Sequence, residues 1–187
     1  MHSLKVTLRS VKPPVWRRIE VESDVALDEL SHIIELAMGW LGYHLHAFEA
    51  DGVTYEQAGH FEGFDRGARE ESDYRLSDLL TEVGTAMRWD YDFGDGWEHD
   101  IKVEAISPAD CNVTYPRCVA GRRACPPEDC GGPWGYQDIL DAIGDKGHPR
   151  HRELTDWLPP GWDPTHFDPN ETSKYMLEPQ PTSDDWW

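Results

Sequence analysis

Three observations predict an α+β fold. The N-terminal half alternates apolar and polar residues in several short runs, one run of helical spacing interrupts them, and a Gly-Asp-Gly turn splits the most regular alternation. Strand, strand, helix, strand, short helix and closing hairpin is the order of a ubiquitin-like β-grasp, with one helix packed across a mixed sheet. Residues 1–106 make that core. Residues 107–177 read as a Cys/Pro-rich loop and helical extension packed on it, and 178–187 as a flexible tail.

Leu4, Val6 and Leu8 alternate with Lys5, Thr7 and Arg9, a half-buried strand, and the prolines of Ser10–Pro14 confine that segment to a turn. Val15–Glu22 is the second strand. Arg17 shares its apolar face, so its stem packs there while its head snorkels, or it is a functional cation; packing is favoured. Leu27, Leu30 and Ile34 recur at helical spacing over Leu27–Met38, with Asp28 and Glu29 at the positive end and Gly39 past the last turn. Ala26 is a poor cap for it. Tyr43–Ala50 alternates again and returns through Asp51-Gly52 to Val53–Tyr55. His44 and His46 fall on one face there and read as solvent-facing polar residues rather than chelators, because no third ligand is near in sequence. Gly59–Asp73 is a charged, Gly-rich loop. Leu76–Val83 is a short helix with Ser77 near its start. Later, Tyr136–Ile143 and Arg150–Leu158 are helical, and Asp168-Pro169 caps a last helix through Met176.

The chain has 187 residues, with 36 acids against 17 Lys and Arg and a formal charge of −19. Nucleic-acid coating needs basic residues to neutralise phosphates, so a nucleic-acid partner is disfavoured; the charge suits a basic protein segment as partner or, the favoured reading, simply keeps the protein soluble. No apolar run is long enough to span a membrane, and no charged-then-apolar leader is present. With four cysteines read as thiols or ligands rather than a disulfide framework, the expected location is the cytoplasm.

The hairpin over Trp89–Ile101 is the sharpest feature. A three-residue Gly94–Gly96 loop sets Phe93 opposite Trp97, Tyr91 opposite His99, Trp89 opposite Ile101 and Met87 opposite Val103, a continuous apolar face. His99 is then a core histidine. The other face opposes Asp90 to Asp100 and Asp92 to Glu98, like charges that destabilise a sheet. Those four carboxylates, within a patch of about 10 Å, can hold Mg²⁺ or Ca²⁺, grip a Lys/Arg-rich segment or share protons. They are the catalytic candidates of a metal-dependent, hydrolase-like reading. Cys118-x6-Cys125-x4-Cys130 lacks the tight pairs of zinc ribbons, yet with His148 (or Cys111 or His151) it makes a candidate zinc site that would organise a loop poor in apolar residues. Glu128 and Asp129, between Pro-Pro and Gly-Gly, sit in a stiff-then-flexible loop.

Pro14-Val15-Trp16-Arg17-Arg18-Ile19, Tyr91–His99, Ala124–Tyr136 and Phe167-Asp168-Pro169 resemble, in order and over nearly the whole chain, the plasmid pRiA ORF-three-like family. The resemblance implies a β-grasp core with an added helical C-terminal part and an occurrence on plasmids and beside mobile elements. It assigns no chemistry. Some members have been labelled resolvase-like, but this sequence has neither a basic patch nor a serine-nucleophile site. At Ala26 relatives often carry a capping Thr. The expected function is a non-catalytic interaction module using Arg17, Asp92, Asp95, Glu98, Glu128 and Asp129 as one surface. The alternatives are the metal-dependent hydrolase-like enzyme and a mobile-element accessory protein.

Overall fold

The structure, a computed structural model, describes residues 1–57 and 67–178. It is α+β, with an eight-stranded, mostly antiparallel sheet and five α-helices. The strands are β1 (His2–Leu8), β2 (Trp16–Val21), β3 (His46–Ala50), β4 (Val53–Glu56), β5 (Arg69–Glu70), β6 (Ala86–Tyr91), β7 (Trp97–Ile106) and β8 (Arg117–Arg122). They lie in the order β5-β4-β3-β6-β7-β1-β2-β8, and only β4 and β5 pair in parallel. The helices are α1 (Leu27–Met38), α2 (Leu76–Leu79), α3 (Gly132–Gly144), α4 (His151–Trp157) and α5 (Pro169–Leu177).

α1 spans the residues its periodicity predicts and ends on Gly39 in the left-handed conformation. Ala26 offers no side-chain cap. The Leu27 N–H donates instead to the Tyr74 carbonyl, 3.1 Å away, so a neighbouring loop satisfies one of the free donors of the first turn. α1 buries Leu27, Leu30 and Ile34 against a sheet face of Leu4, Val6, Ile19, Phe48, Trp89, Ile101 and Val103.

Several expectations need correction. β8 lies inside the segment read as a Cys/Pro loop and extends the sheet beyond β2; its Gly121 packs under Phe167, where a Cβ would come within 2.5 Å of the ring. The loop expected over 59–73 lies partly outside the described residues. Its described end forms β5 and a 3-10 turn at Glu71–Asp73. α2 is only one turn long, and Val83, expected on its apolar face, is exposed. β3 begins at His46, so Tyr43 and His44 belong to the segment leading into it. The tail expected from 178 lies outside the described residues beyond Glu178.

The hairpin register also differs. Tyr91 faces Trp97, Trp89 faces His99, Met87 faces Ile101, Asp90 faces Glu98 and Arg88 faces Asp100. The loop is five residues, Asp92–Gly96, because Asp92 (φ 52°) turns its carboxylate back: Oδ1 accepts from the Gly94 and Asp95 N–H groups at 3.0 and 3.2 Å. A shift of two residues preserves parity, so the apolar face survives while Phe93 moves out to solvent.

Arg17 is the other correction. It is 4% exposed and does not snorkel. Nε donates to the Ala37 carbonyl at 2.9 Å, Nη1 to the Trp16 and Arg122 carbonyls, and Nη2 to Cys125 Sγ, with Phe167 stacked on the guanidinium. Ala37 is in the last turn of α1, so the charge sits at the negative end of that helix. This explains a buried arginine with no carboxylate beside it among the described residues.

Candidate metal centre

Three loops converge at the end of the β6–β7 hairpin. The first runs from α1 into β3 and carries Tyr43 and His44. Its Leu45 carbonyl accepts from the Asp92 N–H at 2.9 Å, which ties it to the hairpin. The second is the Asp92–Gly96 loop. The third is Pro126–Gly132. Trp40 anchors it: the ring stacks on Tyr91 with centroids 4.9 Å apart, and its Nε1–H donates to the Pro126 carbonyl at 2.9 Å. Gly132 (φ 67°) lies so close to the hairpin that a Cβ would come within 2.2 Å of the Asp95 carbonyl oxygen. The Gly131 N–H donates to Asp95 Oδ2 at 3.0 Å. The Gly-Gly pair is therefore needed for close approach, not merely for a turn.

His44, Asp92 and Asp129 meet where the loops join. His44 Nε2 lies 3.6 Å from Asp92 Oδ2 and 3.3 Å from Asp129 Oδ1, and one ligand atom from each residue falls within 4.8 Å of the others. Two ligands about 2.1 Å from a common ion, at angles between octahedral and tetrahedral, stand about 3.0–3.4 Å apart. The spacing fits. His44 Nε2 is buried and makes no hydrogen bond, so its geometry is turned to the carboxylates rather than to a donor or acceptor of its own. Asp92, 8% exposed, has Oδ1 committed to the loop backbone, which leaves Oδ2 facing the imidazole. Asp129 is also left-handed (φ 55°), and its Oδ2 accepts from the Tyr43 hydroxyl at 3.0 Å. Each carboxylate thus has one oxygen held and one presented, the arrangement by which outer groups orient ligands.

Glu128 flanks the cluster. Its Oε1 accepts from the Tyr91 hydroxyl at 2.8 Å and the Leu41 N–H at 3.0 Å, while Oε2 is buried without a hydrogen bond. Burial, reinforced by Glu128, raises the Tyr91 hydroxyl far above the ordinary phenol range, and burial with Glu128 and Asp129 does the same for Tyr43. Both remain protonated donors. One imidazole nitrogen and two carboxylate oxygens suit a borderline divalent ion such as Zn²⁺ or Mn²⁺.

The structure brings Asp92, Asp95, Glu128 and Asp129 together and separates them from the rest of the predicted surface. Asp90, Glu98 and Asp100 lie on the sheet face, where arginines answer them. Arg88 pairs with Asp90 at 3.1 Å and Glu49 at 2.7 Å; Arg9 pairs with Glu98 at 3.1 Å and Asp100 at 3.8 Å. Burial nonetheless lifts the Asp90 carboxyl, against the pull of Arg88. Arg18 turns instead to Glu104. Arg17 is in the core, as described.

Cys118, Cys125, Cys130 and His148 do not converge. Among the described residues the one group able to hold an ion contains no cysteine. Cys125 Sγ lies between Arg17 and Met38, Cys118 Sγ faces the Ala120 carbonyl, and Cys130 Sγ the Gly132 carbonyl. Burial pushes Cys118 up to about 11 and Cys130 up to about 12, so these are core thiols. His148 instead faces Asp138.

Sequence reasoning missed His44, which it set beside His46 as a solvent-facing strand residue. The two part because β3 begins at His46, whose Nε2 meets Glu71 at 2.9 Å. The available signal was Gly42: its left-handed turn (φ 72°) takes the chain out of the strand path.

Comparison with known proteins places these loops in a wider context. The profile of the plasmid pRiA4b ORF-3-like protein family matches residues 1–171. The chain is similar to "Uncharacterized protein y4hQ" of Sinorhizobium fredii (strain NBRC 101917 / NGR234), 38% identical over 155 residues that cover 82% of this chain and 78% of the relative. It is also similar to the crystal structure of protein of unknown function MM3350 from Methanosarcina mazei Go1. There the TM-score is 0.81 and the identity 33%, over 91% of this chain and 96% of that one.

Proposed function

The chain belongs to the plasmid pRiA4b ORF-3-like protein family, and for this member we propose a metal-dependent, hydrolase-like function centred on one divalent cation held by His44, Asp92 and Asp129. One observation carries the reading: three ligand atoms from three loops lie within 4.8 Å of one another, with the imidazole nitrogen otherwise unbonded. Three protein ligands leave coordination positions open, as catalytic rather than structural sites do. The Asp129 side chain is 62% exposed, so the open side faces solvent. The chemistry a cation would supply there is an activated water and a Lewis acid for the oxygen of a scissile group. Around it, the loop N–H groups on Asp92 and the Tyr43 hydroxyl on Asp129 fix the geometry, and Glu128, whose Oε2 makes no hydrogen bond, is the neighbouring carboxylate proposed as proton acceptor.

Calorimetric titration of chelator-treated protein with Zn²⁺, Mn²⁺ and Mg²⁺ tests this. One ion per chain is expected, with binding lost in His44→Ala and Asp92→Asn. No saturable binding of any of the three ions overturns it.

A non-catalytic interaction module is the second reading, favoured by exposed apolar side chains beside the same junction: Trp134, 88% exposed, is in the first turn of α3 after the Gly-Gly pair, and Leu41 and Tyr43 precede His44. A basic protein segment suits the charge. Turnover of ester or phosphodiester substrates by the metal-loaded protein decides for the enzyme. The β1–β2 hairpin with α1 is read as a β-grasp core enlarged at both sheet edges. No helix among the described residues is long and apolar enough to cross a membrane, and the four free cysteines support a reducing, cytoplasmic location.

A further inference from the structure

On the other side of His44 lies a cavity that the cation itself does not use. Its volume is about 460 Å³, and it opens between α1, the segment carrying Tyr43 and His44, and the Glu70–Ser72 turn. That size suits a small molecule or one long side chain. Among the described residues, five carboxylates and three imidazoles line it, and no lysine or arginine does.

Two of the carboxylates are buried, Glu35 at 5% exposure and Glu71 at 2%. Glu71 has a close partner in His46 Nε2, 2.9 Å away. Glu35 has none so close. Its nearest donors are His32 Nδ1 at 3.4 Å, Ser31 Oγ at 3.5 Å and His46 Nδ1 at 3.8 Å, whereas charge-assisted bonds to a carboxylate run at about 2.7–2.9 Å. Two imidazoles, His32 and His46, thus face Glu35, but His46 is drawn to Glu71 and leaves Glu35 with long contacts only. Buried charge of one sign is costly until an opposite charge completes it. The Gly42 backbone closes one side of Glu35, since a Cβ there would come within 2.4 Å of Oε2.

We propose that this cavity binds a cationic nitrogen, as ammonium or guanidinium, belonging to the molecule on which the centre acts. The identification of that molecule as a substrate rests on the hydrolytic reading; the binding itself does not. The cationic group reaches Glu35 and supplies the short donor that carboxylate lacks. The rest of the ligand runs past His44, which lines the cavity and also faces Asp92 and Asp129. An uncharged donor brings no opposite charge to the buried carboxylates and gains less from them, so selectivity follows charge.

The test is calorimetric titration of the whole, metal-free chain with cadaverine, agmatine and a capped lysine tripeptide, using 1,5-pentanediol as the uncharged control. Saturable binding of the cationic probes and none of the diol is expected. The free amines against the peptide distinguish a small amine from a protein side chain as the source. Glu35→Gln and Glu71→Gln are each expected to weaken binding by about tenfold, the scale of one charge-assisted contact, with thermal unfolding confirming that the variants fold. Absence of binding by every cationic probe, or equal binding of the diol, overturns the proposal. So does unchanged affinity in both variants. Amine binding without any binding of Zn²⁺, Mn²⁺ or Mg²⁺ sinks the hydrolytic reading alone and leaves the cavity's role standing.

Discussion

Gly132→Ala asks whether the hairpin loop and the Gly-Gly loop are locked by direct contact. Two costs add at this position. A side chain in the left-handed region costs about 1–2 kcal/mol, and Gly132 has φ 67°. A Cβ 2.2 Å from the Asp95 carbonyl oxygen must also push the hairpin loop away, and overpacking of that kind costs about 1–3 kcal/mol more. Gly96 isolates the first cost, because its φ is 69° and nothing lies within 4 Å of a Cβ built there. Urea unfolding should therefore show a loss of about 1–2 kcal/mol for Gly96→Ala and about 2–5 kcal/mol for Gly132→Ala. The displacement also reaches the ligand set, since the Asp95 N–H holds Asp92 Oδ1. Gly132→Ala is expected to weaken cation binding more than its partner does. Equal stability losses for the two variants, or equal cation affinities, would refute the reasoning.

Other outcomes follow from the same contacts. Asp90→Asn combined with Glu98→Gln should leave cation affinity unchanged in calorimetry, because those carboxylates face Arg88 and Arg9; a loss there would return the site to the sheet face. Arg17→Met strips the donors from the Ala37 and Arg122 carbonyls and should cost about 3–5 kcal/mol in thermal unfolding, as breaking a buried charged network does. Arg17→Lys should recover little of it, since an ammonium lacks the fork that reaches several acceptors. Asp168→Ala removes the cap that accepts from the Asn170 and Glu171 N–H groups and should cost about 1 kcal/mol. His99 is fully buried, and burial pushes its imidazole down to about 3. The unfolded chain takes up a proton as pH falls through about 6.5 while the folded one does not, so stability drops by about 1.4 kcal/mol per pH unit between those values. His99→Phe should flatten that part of the profile relative to the parent, and identical slopes below pH 6 would contradict a neutral His99.

What could be read from the chain divides along physical lines. α1 was legible to the residue because its stripe, its first-turn acids and its Gly39 stop all agree. The cap at Asp168-Pro169 was legible for the same reason. β8 was not, because a short strand rich in Arg, Gly and Cys has little alternation and takes its shape from pairing with β2. The hairpin faces were readable from parity, but the register was not: the two candidate loops differ by two residues, a shift that leaves every side chain on its own face. It was decided by Asp92, whose carboxylate folds back onto the loop backbone rather than standing on the sheet.

That same turn of Asp92 separates the acidic residues into two kinds. On the strands, Asp90, Glu98 and Asp100 repel one another across the ladder, and the chain answers them with Arg88 and Arg9 on the same face. At the loop junction, Asp92 and Asp129 are held in left-handed backbone with one oxygen each fixed by a donor, and no arginine or lysine is paired with either among the described residues. Backbone strain of this sort persists where surrounding structure over-determines it. Trp40 under the Pro126 carbonyl, Gly132 against Asp95 and the Leu45 carbonyl on Asp92 provide that restraint from three directions. A carboxylate face that only kept the protein soluble would require none of it, which is why the proposed cation site is set at the junction rather than on the more conspicuous strand face.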